Sequence, residues 1–200
     1  MTERTAVYYG EVELIPNVVC DGYVLEDGTA MLSIVGTANL LSMSHQSLQN
    51  NAVNGLPKQL KSFCDIDFNN AVKPILVSAK NSKYNGRVID ALDCATIEAL
   101  IKAYAFAFAN NLLRENQEHT GKRCIFLMGA LIRTALEVAI KQACGIPTDI
   151  QQTAQQHYID VVKIVKDHGF KCSIPNDIAI KKDIAQFLDI PESTLGDFRE

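Results

Sequence analysis

The chain has no tryptophan, only 6 prolines in 200 residues and no surplus of basic charge. Its 19 Lys and Arg stand against 23 Asp and Glu, for a net charge of −4. That balance excludes a global basic footprint, so contact with nucleic acid would have to be local. Six cysteines, at 20, 64, 94, 124, 144 and 172, include no C-x-x-C pair. With no secretory pattern at the N-terminus, they are expected to be reduced, mostly buried thiols of a cytoplasmic protein. The longest apolar run, Cys124 to Ile132, is far too short to span a bilayer and ends at Arg133, so no membrane association is expected.

Familiar catalytic patterns are missing too. Thr120-Gly121-Lys122-Arg123 lacks the upstream glycine and the following hydroxyl of a phosphate loop. No Gly-x-Ser-x-Gly elbow and no Asp-x-Lys or Glu-x-Lys triplet occurs. His168 and Cys172 lie four apart, but two ligands do not make a zinc site. Glu98, Arg133 and Glu137 fall on apolar helical stretches and are expected to form a paired ion cluster in the core. No catalytic residue, cofactor or metal is assigned, and an enzyme is the minor alternative.

What is present is a chain 48% hydrophobic, enough to bury a substantial core. Tyr8–Leu14 alternates like a short strand. Val18–Leu25 and Ala30–Ser33 are β-prone runs joined by Glu26-Asp27-Gly28-Thr29, the clearest hairpin signal in the sequence. Lys73–Ala79 and Arg87–Asp90 flank the turn-rich 80–86, predicting a second hairpin. Lys80, Lys83 and Arg87 make its tip basic, suited either to touching phosphates as a wing or to being a solvated turn. From Asp93 the chain reads as helical: Ile97 to Leu112, then about Lys122 to Cys144 with a stop at Gly145-Ile146-Pro147, then about Asp149 to His168. The middle helix is apolar nearly all round, which places it at the centre of the fold or in a subunit interface.

The last twenty residues, 181–200, read as helix, tight turn, helix. Ile184, Ala185 and Leu188 make one face of the first helix, with Ile190 in the turn. Leu195 and Phe198 make the inner face of the second. Asp189 stands at the turn position where glycine is usual. Ser193 and Thr194 sit near the end that enters the major groove in helix-turn-helix proteins, and Lys181, Lys182 and Arg199 are placed for phosphates. Glu192, Asp197 and Glu200 load the same helix with negative charge, which favours a protein partner instead. A plain amphipathic helical pair packed on a core is the bland alternative. Residues 33–48 repeat the spacing: Ala38, Leu41, Met43 and Leu48 match Ala185, Leu188, Ile190 and Leu195 at an offset of 147. There the second helix would expose His45, Gln46, Gln49 and Asn50, amide and imidazole groups able to read base edges or simply to face solvent.

Gly22-Tyr-Val-Leu-Glu-Asp-Gly-Thr29 with Met31-Leu-Ser33, then Ala79-Lys80-Asn81 and Tyr84-Asn-Gly86 before a long helical pair, resembles a phage antirepressor-like domain family over about residues 8–146. The chain departs from that pattern after the second helix, where Lys141-Gln-Ala-Cys-Gly145 replaces an acidic ending. The resemblance implies phage-type regulation rather than a defined chemistry. The expected fold is α+β: N-terminal β-hairpins with short helices, followed by a helical half ending in a helix-turn-helix-like pair. A domain at 1–170 would be followed by a module at 177–200. The expected function is that of a DNA-binding regulator that binds double-stranded DNA as a homodimer. The alternative is a module that binds a repressor or host protein through the acidic 192–200.

Overall fold

β-branched and aromatic residues crowd the first quarter of the chain, and strands form there. The computed structural model describes residues 4–64 and 66–167. Strand β1 (Arg4–Ile15) turns back into β2 (Val18–Leu25) through Pro16 and Asn17. Proline pre-sets its own φ, and Asn17 takes the left-handed φ of 63° that asparagine tolerates. The expected hairpin at Asp27-Gly28 joins β2 to β3 (Ala30–Ser33), pairing Gly22 with Leu32 and Val24 with Ala30. Gly28 supplies a φ of 84°, and the Thr29 N–H donates to Asp27 Oδ1 at 2.9 Å. The second expected hairpin is also formed, between β4 (Lys73–Val77) and β5 (Val88–Asp93).

The two hairpins close on each other. β3 pairs antiparallel with β5, and β1 pairs in parallel with β4 through Arg4–Ile75, Thr5–Leu76 and Ala6–Val77. The result is a closed barrel in the order β1-β2-β3-β5-β4, which leaves none of these strands a free edge. Tyr23, Leu25, Met31, Ile75, Val77 and Ala91 fill it.

Helices pack outside. Between β3 and β4 come α1 (Ile34–Leu40), α2 (His45–Asn54) and α3 (Lys58–Lys61). After β5 come α4 (Cys94–Ala109), α5 (Glu118–Ala143) and α6 (Ile150–Asp167). Caps fix their starts: Ser33 accepts from the Gly36 N–H, Asp93 from the Thr96 N–H and Asp149 from the Gln152 N–H, at 2.8–3.0 Å. Gly145, with φ 72°, ends α5 as expected. A second core gathers Leu41, Leu48, Leu60, Leu100, Tyr104 and Leu127 between the two helical sets and the barrel wall. The chain is thus mixed α+β, strands first and helices after. No helix among the described residues is long and apolar enough to cross a membrane.

Several expectations need correction. The middle helix starts earlier than the expected Lys122: α5 begins at Glu118, and Gly121 lies buried inside it. A Cβ there would stand 2.5 Å from Phe108 Cβ, so the absence of a side chain at Gly121 lets α5 approach α4 closely. The second helix of the 33–48 repeat runs past Leu48 to Asn54, and a further short helix, α3, follows it. Glu98, Arg133 and Glu137 form no core cluster. Glu98 pairs with Lys102, Arg133 with Asp160, and Glu137 with Lys141 and His157, all at the surface except the His157 ring. Of the described cysteines, Cys20 and Cys124 are buried, whereas Cys94 and Cys144 are exposed. The segment 181–200, with its expected helix-turn-helix, and the module boundary at 177 lie outside the described residues.

Candidate functional site

The internal echo of the C-terminal pattern falls on a real pair of helices. Helix α1 ends at Leu40, and after four intervening residues α2 begins, capped by Ser44, whose Oγ accepts from the Ser47 N–H at 3.1 Å. Within the turn, Ser42 adopts a left-handed φ of 57°. The offset of 147 maps Ser42 onto Asp189, the position where a helix-turn-helix bends. The Met43 N–H donates to Ala38 O at 2.9 Å, and Leu40, Leu41 and Leu48 are buried beneath. His45 and Gln46 are exposed in the first turn of α2, Gln49 is half-buried, and Gln46 Nε2 donates to Asn50 Oδ1 at 3.3 Å.

Charge sets this unit apart. In a chain with 23 acidic residues, none occurs from Ile34 to Cys64, while Lys58 and Lys61 occur there and are exposed on α3. Composition read over the whole chain conceals this local balance; reading it segment by segment reveals it.

The basic hairpin tip is placed differently. Its loop plugs one end of the barrel: Ser82 is buried, its Oγ lying 3.4 Å from Tyr23 Oη and accepting from the Tyr84 N–H at 3.1 Å. Lys83 is held 3.2 Å from Asp21 Oδ2 and lies over the Tyr84 ring, and its hydrogen bond to Asp21 raises its pKa. Tyr9 donates to the other oxygen of Asp21 at 2.9 Å; burial first, then this carboxylate, pushes the phenol well up. Lys80 and Arg87 are exposed and make no ion pair among the described residues. The loop rests on β1 and β2, whereas α2 rests on α1 and the 68–70 turn. Lys181, Lys182, Ser193, Thr194 and Arg199 lie outside the described residues.

A feature the sequence reading missed is an apolar groove of about 690 Å³ between the outer wall of the barrel and helices α4 and α5. Val12, Val24 and Leu32 form its floor, and Ile97, Ile101 and Leu131 its far side. Gly10 stands opposite Gly22 in the floor. A Cβ on Gly10 would meet nothing within 4 Å, so the missing side chain leaves open space. Glu98 and Lys102 also line the groove, paired with each other at 3.3 Å. The signal was present in β1, where Tyr8, Val12 and Leu14 give one face of the strand an apolar row, opposite the face that carries Glu11 and Glu13. Among the described residues no group of three or more His, Cys, Asp or Glu is arranged to hold a metal ion.

Compared with protein-family models, with curated proteins and with solved structures, the chain has no match.

Proposed function

We propose that the protein is a DNA-binding regulator of phage or mobile-element type, and that α1, its turn and α2 form a groove-contacting surface. The observation that carries this reading is a helix–turn–helix pair whose second helix exposes His45 and Gln46 at its start, within a stretch free of acidic residues. Glutamine suits the adenine edge, and Lys58 and Lys61 supply phosphate contacts. Residues 181–200, with Lys181, Lys182 and Arg199 toward phosphate and Ser193 and Thr194 toward bases, are a second such surface in the same proposal. Lys80 and Arg87 are the auxiliary cations; Lys83 is already engaged by Asp21.

A gel shift against pooled genomic fragments, at low and moderate salt, tests it. Lys58→Glu with Lys61→Glu is expected to weaken binding to all fragments and flatten the salt dependence. Gln46→Ala with Gln49→Ala should relax sequence preference instead. Lys181→Glu with Lys182→Glu reports on the C-terminal surface in the same assay. Unchanged affinity and salt slope in both lysine pairs would remove both surfaces from a DNA-binding account. The second reading, a module that binds a repressor or host protein, is favoured by the apolar groove, which is built for side chains rather than phosphates.

A further inference from the structure

Helix α5 divides into two halves. Its first half is buried through Gly121, Cys124, Leu127 and Ala130. Its second half turns a bare apolar face outward: Ile132, Leu136 and Ile140 are 55%, 62% and 64% exposed. Ala135, Ala139 and Ala143 are exposed on the same half. The charged side chains of this half are engaged elsewhere, Arg133 with Asp160 on α6 at 3.2 Å and Glu137 with Lys141 and with His157 on α6. Covering the face would therefore bury no unpaired charge.

We propose that this face is the two-fold interface of a homodimer, in which two copies of α5 run antiparallel as a short coiled-coil seam. Ile132, Leu136, Ala139 and Ala143 follow the four-three-four spacing of such a seam. In an antiparallel pair Ile132 meets the partner subunit's Ala143, and Leu136 meets the partner subunit's Ala139. Symmetry repeats both layers, so every large side chain in the seam faces a small one. A parallel pair would set Leu136 against Leu136 and Ala139 against Ala139, alternately crowded and empty. A pattern that complements itself is what a two-fold contact requires, since one patch serves as both partners.

The face is also too long for a small ligand, about 16 Å from Ile132 to Ala143 at 1.5 Å per residue. It is continuous with the groove, which Met128, Leu131 and Ile132 also line. The seam would be the core of the interface, and the groove mouth would add toward the ~800 Å² per partner that a stable dimer buries.

The test uses the full chain. Light scattering at about 50 μM, where an interface of this size is populated, should give the dimer mass. Leu136→Glu should give the monomer mass with helical circular dichroism unchanged. Oxidising a mixture of Leu136→Cys and Ala139→Cys chains should yield a cross-linked dimer whose mapped peptide joins those positions, with each variant alone at the parent's background. This experiment decides the matter even if Leu136→Glu does not fold. A monomeric parent overturns the proposal. Leu136→Cys linking to itself as readily as to Ala139→Cys overturns the antiparallel seam. DNA binding is read separately, so its loss with the dimer intact leaves this interface standing.

Discussion

Thr37 shows how much at the residue scale depends on contacts that a sequence does not display. Its side chain is fully buried in α1, and its hydroxyl has no hydrogen-bond partner. An unpaired buried hydroxyl costs about 1–3 kcal/mol, and valine has the same shape without it. Thr37→Val is therefore expected to stabilise the fold by about 1 kcal/mol, read as a higher urea midpoint at unchanged slope. Gly121 teaches the same lesson in reverse. Beside Arg114-Glu-Asn-Gln-Glu-His-Thr it looks like the end of a polar loop. Only the packing of Phe108 Cβ and Leu113 Cδ1 within 2.6 Å of its absent Cβ shows why the position is glycine.

Elements were more legible than residues, because periodicity and end signals are local. The Asp27-Gly28 turn, the stop at Gly145 and the start of α4 after Asp93 were all readable from neighbours in sequence. The α1–α2 pair was readable as a spacing, and the structure adds the backbone strain at its bend. Ser42 holds a left-handed φ of 57°, a conformation that costs a residue with a Cβ about 1–2 kcal/mol. Glycine would relieve that while losing more entropy on folding, so Ser42→Gly is expected to stabilise by about 0.5–1 kcal/mol. The Thr120 hydroxyl donates to the backbone oxygen of Ser42 and would be undisturbed. A thermal melt checks this; a fall in Tm would mean that the Ser42 side chain contributes to the turn.

Whole-molecule organisation was the least legible, because it rests on partners distant in sequence. Both hairpins could be read, yet their closure into a barrel depends on β1 meeting β4 and β3 meeting β5 across some sixty or more residues, as in Ala6–Val77 and Met31–Asp93. The groove follows from that closure and was invisible for the same reason.

Helix α6 is attached in this non-local way too. Its Gln151 and Gln155 hold the backbone of Glu13 on β1, and its buried His157 lies 3.0 Å from Thr134 Oγ1 and 2.8 Å from Glu137 Oε2 on α5. The Thr134 hydroxyl donates to Ala130 O, so the ring has an oxygen acceptor on each side. Lys141 first, and His157 with it, hold the Glu137 carboxyl below the ordinary value of 4.5. A carboxyl depressed in the folded state adds stability that is fully present above its unfolded value and lost as pH falls through its folded one. Glu137→Gln should therefore lower Tm at pH 7, and the gap to the parent should close as pH is taken below 4.5. A Tm series from neutral to acid pH reads this directly. A gap that stays constant down to the acid end would mean that the α5–α6 contact is held by packing alone, with the charge on Glu137 contributing nothing.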